Sequence, residues 1–246
     1  MMRLGGVVLA CGCVLPATTG APMPPTTVGQ GKLGANVHAE IPVVNLVADN
    51  DATTNDHKEV LAAPTLAVGG SYGLTDTTDI EGELYFFDVI ALNGGSLGLR
   101  QTVFSSESGD VGIAARFGVL SNLTNTDTQP CNLGLDMPPN LAASAWFGSA
   151  QASAQLRAGR VRPLLAFNAE PFRIKRDVLV PPTSRNAVTE RYWGIAESAT
   201  VALWIVFSRV QFAPYVAVTH FSSDTFAGGW MASGGMALTI RRDRSH

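Results

Sequence analysis

Charge is what this sequence has least of. Asp, Glu, Lys and Arg make up 15% of its 246 residues, against about 25% in ordinary soluble domains. A β-protein facing water needs a surface that is about 25–35% charged, so the shortage argues against such a surface. The chain also lacks any unbroken apolar run near the roughly 18 residues that a membrane-crossing helix requires. Even the stretch 195–207 is interrupted by Glu197, so a membrane protein of this sequence would cross as strands. Of three cysteines only Cys131 lies in the body of the chain, which leaves no disulfide to hold that body together. A net charge of −3 supplies no basic field and argues against nucleic acid as a partner. Nucleophile elbows, zinc-ligand spacings and phosphate-binding glycine loops are absent too. No catalytic residue, metal ligand or cofactor is therefore assigned.

What is present begins with an address. The opening MMRLGGVVLACGC sets a cation, Arg3, before the apolar residues 4–10, then small residues and cysteine, which is the secretory pattern. Val8-Leu9-Ala10-Cys11 resembles a lipobox, implying cleavage before Cys11 and a diacylglycerol group on it. Cys13, preceded by Ala10-Cys11-Gly12, is the alternative acceptor. By the same resemblance, Gly12 in place of Asp is compatible with sorting to the outer membrane. Residues 14–30, VLPATTGAPMPPTTVGQ, have no periodicity and read as an extended Pro/Thr-rich tether. The expected division is a lipoprotein-type signal peptide over 1–10, a periplasmic tether over 11–30, a β-barrel over 31–241 and a tail over 242–246.

Beyond residue 30, segments of roughly ten residues alternate in polarity between turn-like clusters, the repeated signature of barrel strands. Residues 32–44 are the clearest case. Leu33, Ala35, Val37, Ala39, Ile41 and Val43 share one face, and Lys32, Gly34, Asn36, His38 and Glu40 the other. The pattern continues through 60–74, 111–120, 161–172, 210–221 and 229–241, and less cleanly through 80–92, 97–104, 142–155 and 192–207. The all-β expectation is a closed antiparallel up-and-down transmembrane barrel of about ten strands, within the range of about eight to twelve.

Connectors fall into two classes. GLTDTTD, SSESGD, RAGR and SR are short, whereas LVADNDATTNDHKE, SNLTNTDTQPCNLGLDMPPN and IKRDVLVPPTSRNAVTER are long and polar; NGG at 93–95 is a short exception on the long side. Alternation and connector asymmetry together resemble bacterial outer-membrane β-barrels. The stretch YGLTDTTDIEGELYF also looks like a Tyr-Gly-Leu-Thr turn of outer-membrane transporter barrels. The resemblance implies the lipid bilayer and the outer-membrane assembly machinery as partners, with both termini periplasmic. The residues themselves suggest which face is inside. Opposite the apolar face lie mostly Gly, Ala, Ser and Thr, which suit a narrow barrel interior. Tyr72, Trp193, Phe207, Phe212 and Trp230 sit near strand ends on the apolar face, where interfacial rings belong. A soluble lipocalin-like ligand-binding lipoprotein would carry many more Lys, Glu and Arg on the small-residue face. Against the pattern stand Asp88 and Glu197 on the apolar face unless a bulge turns them, Pro214 inside a strand, and RRDRSH running past Ile240.

The inward charges by this parity are Lys32, His38, Glu40, Glu81, Glu83, Arg100, Arg116, Arg162 and Glu170. A low-dielectric interior holding both signs favours paired networks. The expected role is thus structural or interactive, with the lumen filled by a charged network, and the alternative is a narrow charge-lined pore for small solutes. A small-barrel enzyme is a further alternative, needing a His paired with Asp or Ser at the rim. Asp56 with His57, and His220 with Asp224, are the nearest candidates, although such neighbours in exposed loops are ordinarily just solvated.

Overall fold

A computed structural model of the protein describes residues 21–47, 65–87, 91–121, 140–179, 187–223 and 229–241. Ten strands follow one another: β1 (Leu33–Val47), β2 (Thr65–Gly73), β3 (Thr78–Phe87), β4 (Ala91–Ser105), β5 (Gly109–Ser121), β6 (Asn140–Leu156), β7 (Val161–Leu179), β8 (Ala187–Phe207), β9 (Val210–Ser223) and β10 (Gly229–Arg241). Each is antiparallel to its neighbours, and β1 pairs with β10 from Gly34↔Arg241 to Val47↔Gly229, closing the barrel. Closure removes the free edge that an open sheet would leave.

The alternation read from the sequence is the in–out alternation of this wall. Along β5, Val111, Ile113, Phe117 and Val119 are exposed while Gly112, Ala114, Arg116, Gly118 and Leu120 are buried. The molecule is inverted relative to a water-soluble protein. Leu97 and Val216 are 69% and 63% exposed, whereas Glu40 and Glu170 are 2% and 1% exposed. The apolar exterior runs over every strand, and no described helix is long and apolar enough to cross a membrane.

Two local expectations need correction. Residues 174–191, read as a long polar loop, are mostly strand: β7 and β8 stay paired from Ile174↔Tyr192 to Leu179↔Ala187. Charged residues on both faces of that hairpin hid the alternation. The NGG at 93–95 is no turn either, since Gly94 and Gly95 pair with Leu120 and Val119 inside β4. Glu197 lies on the outer face as parity placed it, with no shift of register in the β8–β9 pairs beside it.

Prolines are absorbed where the ladder has slack. The β1–β10 register shifts between Pro42 and Val44. The β6–β7 pairs lapse between Phe147↔Phe172 and Ala150↔Ala169, beside Pro171. Pro214 keeps its register opposite Met236 and faces outward.

The segment before β1 has no regular structure and turns into the barrel. Gly29 and Gly31 have φ of 86° and 68°, a conformation open mainly to glycine. That tight bend is closed by bonds from Gly31 N–H to the Gly73 carbonyl (2.8 Å) and from Lys32 N–H to the Gly29 carbonyl (3.1 Å). Residues 21–28 then run up the lumen from the mouth formed by the short turns. The expected tether is extended, but its last part lies within the barrel and does not hang free of it. The reason is polar pairing: the inner wall supplies partners for its backbone groups. Cys11, Cys13, Asp56, His57, Asp88, Cys131, Asp224 and the tail 242–246 lie outside the described residues.

Candidate functional site

The lumen is built by parity. Three successive inward positions of β3 are acidic and buried: Asp79, Glu81 and Glu83. Arg100 on β4 and Arg116 on β5 face them across the neighbouring strands. Arg100 Nη2 donates to Asp79 Oδ2 at 2.6 Å, and its Nε lies 3.1 Å from Glu81 Oε1. Arg116 pairs with Glu83.

Glu83 is the hub of the larger cluster. Besides Arg116, it accepts from Tyr85 Oη and from Asn36 Nδ2, both at 2.9 Å, and His38 Nδ1 lies 3.9 Å away. Tyr85 also shares a 2.7 Å hydrogen bond with Ser96 and packs edge-on against Phe147, with ring centroids 5.9 Å apart. On the far side of the lumen, Glu40 accepts from Ser233 Oγ (2.5 Å) and Tyr215 Oη (3.2 Å). At the short-turn mouth, Arg157 grips Asp110 through Nε (2.8 Å) and Nη2 (2.6 Å). This two-point geometry is the strong form of an arginine–carboxylate bond.

The N-terminal segment occupies part of the lumen. Gln151 on β6 bonds it twice, accepting from Met23 N–H (3.0 Å) and donating to the Ala21 carbonyl (3.2 Å). Asp79 accepts from Val28 N–H at 2.9 Å, so one carboxylate holds both the segment and Arg100. Thr102 donates to the Pro25 carbonyl (2.8 Å) and accepts from Thr27 N–H (3.2 Å). A Cβ on Gly112 would lie 2.6 Å from the Pro25 carbonyl, so glycine there is what lets the segment approach β5. Ala21 ends among Leu164, Ala166, Trp204 and Tyr215. One cavity between segment and wall, lined in part by His38, Glu81, Arg100 and Arg116, measures about 30 Å³, room for a water molecule, while a larger and more open one of about 1080 Å³ borders Arg100, Ala114, Gln151, Asn168 and Ser198.

Of the nine inward charges expected, His38, Glu40, Glu81, Glu83, Arg100, Arg116 and Glu170 are buried in the lumen. Lys32 and Arg162 are half-buried at the short-turn mouth, where Arg162 Nε donates to the Gly159 carbonyl at 3.4 Å. Sequence reasoning missed Asp79 and Asp110, which it left in turns, and Arg157 beside them. Stepping back by two from Glu83 through Glu81 would have found Asp79. Tyr85 and Gln151 were hidden in the segments of poorer alternation. His220, half-buried, has Nδ1 3.8 Å from the outward Glu197 and its ring 4.8 Å from that of Trp230. That trio lies on the outer face, away from the lumen. No group of His, Cys, Asp and Glu among the described residues is arranged to hold a metal ion.

No family model and no curated protein matches the sequence. Solved structures that it resembles include Neisserial surface protein A (9% identity, 85% of this chain and 96% of that one, TM-score 0.39). The outer membrane protease OmpT from Escherichia coli is another (8% identity, 86% and 94% of the two chains, TM-score 0.43). A third is the N-terminal β-barrel domain of Pseudomonas aeruginosa OprF (12% identity, 86% and 99%, TM-score 0.35). At these identities and scores none of them bears on what this chain does.

Proposed function

We propose that this protein is a bacterial outer-membrane lipoprotein, anchored through Cys11 or alternatively Cys13, whose barrel is closed and serves a structural or interaction role. The membrane part of this reading is supported by the apolar exterior of the barrel, which water would penalise at about 25 cal/mol per Å². The lipid anchor and the outer-membrane address rest on the lipobox resemblance, which also sets both termini on the periplasmic side.

The observation that carries the closed reading is the occupied lumen. Backbone groups of residues 21–28 are bonded to Gln151, Asp79 and Thr102, and the arginines there are paired with carboxylates. A pore for small solutes needs a continuous wet path, and in this reading the segment interrupts it: beside residues 21–24 the space left against His38, Glu81 and Arg116 is about 30 Å³, so the larger cavity of about 1080 Å³ ends there. Single-channel recording in planar bilayers tests this. The intact protein is expected to be silent, and a variant lacking residues 21–28 to give conductance steps. Steady conductance from the intact protein would establish the pore reading and sink this one.

A further inference from the structure

We propose that the outer face of the β7–β8 hairpin, at the long-connector end, binds the phosphate headgroup of an anionic lipid. The exposed apolar band ends on β7 after Pro171 and on β8 at Trp193. Immediately beyond that edge, three exposed cations share one patch: Arg173 and Lys175 on β7, and Arg191 on β8. Register brings them together, with Arg173 opposite Trp193 and Lys175 directly opposite Arg191. Like charges set opposite one another destabilise a sheet, and no carboxylate is paired with any of the three among the described side chains. Arg100, Arg116 and Arg157, by contrast, have acidic partners.

The same patch carries its own membrane anchors. Arg173 lies over the Trp193 ring, 4.8 Å from its centroid, and Trp146 on β6 is Arg173's partner on the other side. Indole rings settle at headgroup depth, and each nearby Lys or Arg adds attraction to an anionic lipid surface. A guanidinium held flat by a ring leaves its N–H edge free to bond phosphate. Two indoles at headgroup level, with three exposed cations just above them that meet no carboxylate among the described side chains, match a phosphate joined to acyl chains better than a free ion.

This rests on reading the exterior as a bilayer surface. The test uses the full chain in nanodiscs of phosphatidylcholine containing a minor share of phosphatidic acid with brominated acyl chains, read by quenching of tryptophan fluorescence. Preferential quenching is expected at low phosphatidic acid content. It should weaken by about fivefold in affinity for each charge removed in R173Q, K175Q and R191Q, and survive in R173K/R191K, where the charge is kept. If the triple variant fails to fold, K175Q alone carries the comparison. Equal quenching by brominated phosphatidylcholine, or no loss in the glutamine variants, overturns the proposal. Displacement of the lipid by millimolar inorganic phosphate would show a free-anion site and overturn the lipid as occupant. Failure of the protein to enter nanodiscs at all would instead strike the membrane reading, and the two failures are thereby distinct.

Discussion

Glu83 accepts from Arg116, Tyr85 and Asn36 at once, and its pair with Arg116 is the point in the lumen where a single substitution should tell most. Breaking a buried ion pair by removing one partner leaves an uncompensated charge and costs about 3–5 kcal/mol. Arg116→Met is therefore expected to lower unfolding stability in detergent by about that much. Glu83→Gln/Arg116→Met, which removes both charges, should recover most of the loss. Denaturant titration followed by tryptophan emission measures both; equal losses in the single and double variants would mean that the ion pair is not the source. At this scale the sequence was readable by counting in twos. Parity placed His38, Glu40, Glu81, Glu83, Arg100, Arg116 and Glu170 inside, since a strand sends alternate side chains to opposite faces. It could not say which cation meets which carboxylate. That depends on how neighbouring strands are offset, and turn lengths alone do not determine the offset around a closed wall.

Among the elements, the segment 21–31 was the least legible. Pro, Thr and Gly forbid regular structure, and an extended tether follows from them whether it lies outside the barrel or in it. Its place is decided by Gln151, Asp79 and Thr102, remote in sequence, whose side chains meet its backbone. Gly112→Val should crowd the Pro25 carbonyl and loosen the segment. A cysteine at position 23, with Cys131 left in place as internal reference, would then react faster with a maleimide than in the Gly112 background. An unchanged rate would mean that the segment does not depend on that contact. The β7–β8 hairpin failed to register as strand for a different reason. Period-two patterning is visible only where one face is apolar, and past Ile174 the charges of Lys175, Arg176, Asp177, Glu190 and Arg191 fall on both faces.

For the molecule as a whole, the decisive question is which face meets lipid. Val201 lies on the outer face well inside the apolar band of β8, opposite Val216, while Val210 adjoins the short turn at the band's edge. A cation on the lipid face costs about 2–4 kcal/mol at mid-depth and about 0–1 near the interfaces. Val201→Arg should accordingly destabilise the folded barrel in bilayers by about 2–4 kcal/mol and Val210→Arg by less than about 1. Equal costs, or a protein lacking residues 1–30 that is soluble and monomeric without detergent, would refute the membrane orientation. By itself the sequence determined the strand number to within about two, the antiparallel up-and-down order, the inverted faces and the identity of most lumen charges. All of these follow from local alternation and connector length, which are properties of neighbours in the chain. Only the tertiary structure decided that the chain's own N-terminal segment enters the lumen, which carboxylate each arginine meets, and that Arg173, Lys175 and Arg191 form one patch. Those depend on register and on contacts between residues far apart in sequence, and a period of two carries no information about either.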